Sequence, residues 1–142
     1  MILIDANIFM YAAGARHPNK QPSARLLARI ARGEVDAAVD AETLQEILHR
    51  YRAINRWKDG RLVYDLARQL FPSVIPVTAD VLDHARRLLD TDANLMARDA
   101  LHAAVLITEK LEAICSYDGD FDRIADIRRV EPDREGYPKS AV

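Results

Sequence analysis

The sequence predicts an α/β domain with a mainly parallel central sheet of about five short strands, flanked by helices. Short apolar runs, such as Ile2-Leu3-Ile4 and Ala113-Ile114-Cys115, alternate with longer segments whose apolar residues recur at helical spacing. The runs lack the polar–apolar alternation of a half-exposed strand, so both faces of the sheet should be covered. In such a sheet, sites form beyond the carboxyl ends of the strands.

Taken in order, Ile2-Leu3-Ile4 reads as a buried strand closed by Asp5-Ala6-Asn7, with a short helix over residues 8–13. Gly, His, Pro and Asn make residues 14–22 loop chemistry. Residues 23–31 place Ala24, Leu27, Ala28 and Ala31 on one helical stripe, with Gly33 as the stop. Residues 35–39 form a second strand. A helix over 41–54 shows Leu44, Ile47, Leu48 and Tyr51, and one over 61–70 shows Leu62, Leu66, Ala67 and Leu70. Residues 73–77 are the third strand candidate. Thr78 is an N-cap for a helix through Val81, Leu82, Ala85, Leu88 and Leu89. A further helix over 97–110 leads to a strand at 113–116, and residues 127–130 complete the expected sheet. The domain is expected over 1–130, with a polar tail over 131–142 that orders only where it docks.

Among the 142 residues, Lys plus Arg is 20 and Asp plus Glu is 22, giving a formal charge of −2. That excludes a generally basic coat for nucleic acid but not a local basic patch. The single Cys115 excludes an intramolecular disulfide and a cysteine-based zinc site, as expected in a reducing compartment. No apolar stretch is long enough to span a membrane and the N-terminus lacks signal-peptide character, so a cytoplasmic location is expected.

Four acids fall near expected strand exits. Asp5 follows the first strand and Asp118 follows the strand at 113–116; Glu46 lies within the helix after the second strand, and Asp99 starts the helix leading to the fourth. Each alone has an ordinary reading as a helix cap, a dipole partner or a solvated glutamate. Together they would concentrate negative charge that repels itself unless a hard cation such as Mg²⁺ or Mn²⁺ accepts the oxygens.

With these residues the chain resembles the PIN-domain ribonucleases, particularly the VapC-type toxins of bacterial toxin–antitoxin pairs. The matching pieces are Ile2-Leu3-Ile4-Asp5-Ala6-Asn7, Glu42-Thr43-Leu44-Gln45-Glu46-Ile47, Ala97-Arg98-Asp99-Ala100-Leu101-His102-Ala103-Ala104 and Ser116-Tyr117-Asp118-Gly119-Asp120-Phe121. The resemblance implies that Asp5, Glu46, Asp99 and Asp118 are the catalytic, metal-binding acids, supported by Asn7 and Thr43. It leaves open whether Asp120 or Asp122 joins them. Asp40 stands where the family usually has Ser or Thr, and either adds charge or caps the helix. Ser116-Tyr117 replaces the usual threonine before the last aspartate. The implied activity is Mg²⁺- or Mn²⁺-dependent hydrolysis of RNA, leaving 5′-phosphate and 3′-hydroxyl ends. The implied partners are a VapB-type antitoxin and a second copy of the chain. One metal and two remain alternatives.

An acidic pocket repels a phosphate chain, so RNA affinity needs cations nearby. His49-Arg50-Tyr51-Arg52 and Arg56-Trp57-Lys58, with Arg61, supply a basic, aromatic-interleaved stretch, and Arg16 and Lys20 a second rim. The alternative for Tyr51 and Trp57 is core packing or a dimer contact. Asp118, Asp120 and Asp122 have calcium-loop spacing, but Arg123 and Arg129 occupy the positions that need Gly and Glu. His102 reads as a packed or hydrogen-bonded helix residue, since no second acid–histidine pair accompanies it. Competing readings are a non-catalytic α/β RNA- or protein-binding module that keeps the acidic pocket, and a receiver-type domain, which lacks its lysine after the late strand.

Overall fold

The computed structural model describes residues 1–133 and 137. The elements run β1 (Ile2–Ile4), α1 (Ala6–Ala13), α2 (Lys20–Ala31), β2 (Ala37–Ala38), α3 (Ala41–Ala53), α4 (Trp57–Leu70), α5 (Ala79–Leu89), α6 (Ala97–Thr108), β3 (Ala113–Cys115), a 3-10 turn (Gly119–Arg123) and β4 (Arg129–Val130). The strands are all parallel, in the order β2-β1-β3-β4.

Alternate side chains of β1 explain its unbroken apolar run. Ile2 and Ile4 enter a core shared with α1 to α4, and Leu3 enters a second core built on α5 and α6. β3 divides likewise, with Ala113 and Cys115 on one side and Ile114 on the other. α6 is buried from Asp99 through Leu106, so it sits inside the molecule rather than on it.

The sheet has four strands among the described residues, not the expected five. Residues 73–77 form no strand. Only Ile75 pairs: its N–H donates to the Val39 carbonyl at 2.9 Å, and its own carbonyl accepts from Ala41 N–H at 2.9 Å. Pro72 and Pro76 bracket this contact, and Pro76 has no N–H with which to extend a ladder. Residues 35–39 shrink to the pair Ala37–Ala38, and 127–130 to Arg129–Val130. α2 starts at Lys20 inside the expected loop, with Pro22 tolerated in the first turn, where its missing N–H has no partner to lose. α4 starts at Trp57 rather than 61. Of the tail expected over 131–142, residues 134–136 and 138–142 lie outside the described residues. Tyr137 is buried, and its hydroxyl donates to the Glu131 carbonyl.

Candidate metal centre

The parallel register decides where the acids meet. Ile4 pairs with Cys115, so Asp5 and Ser116 leave the sheet side by side. From there the chain turns toward β2 on one side and toward β4 on the other, which opens a crevice between the two strand ends.

Ser116 ties this crevice together. Its hydroxyl donates to Asp5 Oδ2 at 2.6 Å, and accepts from Asn7 Nδ2 and the Asp118 N–H, both at 3.0 Å. The other Asp5 oxygen accepts the Ala6 N–H at 2.7 Å, so Asp5 caps α1 and faces the crevice at once. Thr43 is buried and donates to the Ile4 carbonyl at 3.0 Å, which fastens α3 to the end of β1. Glu46 lies one turn further along α3 on the same face.

Asp40 resolves the choice left by the sequence in favour of the cap and gains a second role. One oxygen accepts the Thr43 N–H at 2.9 Å; the other lies 2.7 Å from His102 Nδ1. His102 sits one turn after Asp99 on α6, fully buried and hydrogen-bonded.

Asp5, Glu46, Asp99 and Asp118 line one hollow of about 320 Å³, together with Asn7, Met10, His49, Arg50 and Arg98. Carboxylate oxygens of Asp99, Asp118 and Asp120 lie within 4.8 Å of one another, as do ligand atoms of Asp5, Glu46 and His102. Asp122 points elsewhere, paired with Arg129 at 3.1 Å. Asp120 is exposed, at the start of the 3-10 turn that Asp118 caps.

The hollow is charged against the preference of its surroundings. Asp99 is raised to about 6 by burial, then by the charges of Asp118 and Asp5. Asp5 is also raised to about 6; burial dominates and Glu46 adds to it, while His102 and hydrogen bonds from Ser116 and Ala6 oppose it. Hard oxygen donors crowded together at this cost suit a divalent cation, which offsets the mutual repulsion.

Of the basic residues, Arg50 lines the hollow and also an adjoining one with Asn7, Met10, Arg16 and His17; Lys20 lines a third with Arg16 and His17. Arg52, Arg56 and Lys58 do not line the acidic hollow. Arg52 lies over the Trp57 ring at 4.8 Å, and Arg56 pairs with Asp59 at 2.7 Å. Tyr51 is buried against α4 and closed to a nucleotide base, as its core-packing alternative has it. Sequence reasoning missed Arg98, whose Nε lies 3.8 Å from Glu46 Oε1, and the Asp40–His102 contact. The signal for Arg98 was only its place beside Asp99. For the pair, no sequence spacing links α3 to α6.

The PIN domain model matches residues 2–127. The chain is 40% identical over 130 residues to a VapC ribonuclease of Mycobacterium bovis and to ribonuclease VapC13 of Mycobacterium tuberculosis, covering 92% of this chain and 99% of each relative. This chain belongs to the PIN-domain family. Solved structures of similar fold include VapC20 of Mycobacterium tuberculosis, a sarcin–ricin loop cleaving toxin, at a TM-score of 0.68 and 21% identity over 88% of this chain and 95% of that one. A toxin–antitoxin complex from Klebsiella pneumoniae aligns at 0.64 and 18% identity, over 93% and 98%. The VapC relatives are matched over nearly their whole length.

Proposed function

We propose that this PIN domain is a metal-dependent endoribonuclease, the toxin of a toxin–antitoxin pair, with Asp5, Glu46, Asp99 and Asp118 as its catalytic acids. The observation that carries the reading is the convergence of these four carboxylates, from four separate elements, on one hollow. When bound there, Mg²⁺ or Mn²⁺ supplies charge neutralisation at the phosphoryl oxygen and a lowered pKa for coordinated water. The chain's part is to hold that ion and orient the phosphate. Asp5, Glu46, Asp99 and Asp118 are the ligands, with Asp120 at the exposed edge; Asn7 and Thr43 keep the β1 end and α3 in register. Arg98, Arg50 and His49 stand at the rim, and the hollows past Arg16 and Lys20 extend a cationic path for the RNA backbone.

The partner reading rests on a separate surface. α1, α2 and α4 enclose an apolar groove of about 470 Å³ lined by Phe9, Ala24, Leu27, Ala28, Leu66 and Leu70, among others. Leu66 is 61% exposed there. A VapB-type antitoxin that lays an apolar segment into this groove covers it. Pairing with a second copy of the chain belongs to the same proposal.

Asp5→Asn tests the nuclease reading. It keeps a cap acceptor for α1 and removes a charge from the hollow. Purified protein carrying it should melt cooperatively yet lose cleavage of RNA by roughly a hundredfold or more, since a missing ligand removes transition-state charge stabilisation. Wild-type cleavage rates in that variant remove Asp5 from the centre.

A further inference from the structure

His102 has no role in the chemistry above, yet it is enclosed by the site's own acids. Its Nδ1 lies 2.7 Å from Asp40 Oδ2, between two fully buried side chains, at the length of a charge-assisted bond. Its Nε2 faces Glu46 Oε2 at 3.4 Å and Asp5 Oδ1 at 3.7 Å. Ionised carboxylates only accept, so facing ionised acids on both sides the ring donates from both nitrogens. The short bond anchors the ring to α3 through the cap residue. The longer, divided contact then reaches two acids from different elements, one on α3 and one at the exit of β1.

We propose that His102 is a positioning residue: anchored by Asp40, its Nε2–H holds the Glu46 and Asp5 carboxylates in the orientation from which they engage a divalent cation. This rests on the metal-site reading above. Two like-charged carboxylates left to themselves turn apart, and Glu46 has an alternative partner in Arg98 at 3.8 Å. A donor placed between them removes that freedom before the cation arrives. Groups behind metal-ligating side chains change metal affinity by roughly 10–100-fold when removed.

The two faces of the ring can be separated by substitution. The amide nitrogen of Asn reaches about as far as Nδ1, toward Asp40; that of Gln reaches about as far as Nε2, toward Glu46. Mn²⁺ binding by calorimetry should weaken roughly 10–100-fold in His102→Asn, while His102→Gln, which keeps the donor toward Glu46 but not the Asp40 anchor, loses clearly less. A purely structural histidine predicts the reverse order or no difference, and either result overturns the proposal. The unmutated protein gives a check that survives misfolded variants. With ¹⁵N-labelled histidine, Mg²⁺ addition should shift the His102 Nε2 resonance, as the cation draws electron density from the Glu46 and Asp5 oxygens that face it, and leave Nδ1 in place. An Nε2 resonance unmoved at saturating Mg²⁺ overturns the proposal. Wild-type protein that takes up neither ion overturns the metal-site reading itself, a distinct failure.

Discussion

A buried carboxylate keeps its charge only at a cost, and Asp5 and Asp99 show it. Both are raised from 3.8 to about 6, chiefly by burial. Between those values the folded state binds more protons than the unfolded chain, so stability falls as pH rises through this window. His102 acts in the same direction at higher pH. Burial alone would lower its pKa, but the charge and hydrogen bond of Asp40, with Glu46 and Asp5, raise it well above 6.5. Its contribution is complete below the unfolded value and is lost as pH climbs through the folded one. Metal-free protein should therefore melt lower at pH 7.5 than at pH 5, by at least about 4 °C, the shift that roughly 1 kcal/mol produces in a chain of this size. Mg²⁺ or Mn²⁺ should raise the melting temperature more at pH 7.5 than at pH 5, since protons compete for the same oxygens. Calorimetric melts with and without metal check both statements. A metal-free melting temperature that climbs over this range contradicts them.

The helices obey local rules where the needed residue is distinctive, and depart from them where packing intervenes. Gly33, at φ +73, closes α2: its N–H donates to Ile30 and that of Glu34 to Arg29, both at 2.9 Å. A glycine after a helical stripe announces that stop. Asn55, at φ 58, closes α3 with the same bond pattern from an ordinary-looking stretch, and the expected helix runs one residue too far. Gly60 shows the opposite case, a poor helix former inside α4. A Cβ there would overlap Tyr51 Cβ and lie 2.9 Å from its Cγ. Rotation about χ1 cannot move Tyr51 Cβ away, so the close approach of α3 and α4 requires glycine. Gly60→Ala gains about 1 kcal/mol of helix propensity but meets overpacking that typically costs about 1–3 kcal/mol. Net destabilisation, read as a lower urea midpoint with an unchanged slope, is the expected result; a raised midpoint would show that the helices can part.

At the scale of the molecule, the acidic hollow and the apolar groove share α1 but are lined by different residues. The proposed docking of a partner in the groove predicts that inhibition can be uncoupled from catalysis. Ala28 is exposed on the groove wall and far in sequence from the acids. Ala28→Glu should leave RNA cleavage near the wild-type rate and weaken antitoxin binding by roughly tenfold or more, about 1.4 kcal/mol. Equal inhibition of the variant and the wild type by antitoxin would place the partner elsewhere. No helix among the described residues is long and apolar enough to cross a membrane.

The α/β class, the helical stripes, the Thr78 cap and the candidate acids were all legible in the sequence, because periodicity and side-chain chemistry act over a few residues. The strand at 73–77 failed because alternation and propensity say nothing about a partner, and prolines on either side leave Ile75 one pairing only. Asp40 could be read as a cap, since the N–H that donates to it lies three residues away. That its second oxygen meets His102, 62 residues later, was not readable. The sequence by itself determined which groups could bear charge and which faces must be buried. Only the tertiary structure decided that Asp5 and Ser116 emerge side by side and that α6 carries Asp99 into the hollow and His102 against the acids behind it. Those contacts depend on strand register and helix packing, which bring together residues that no local rule connects.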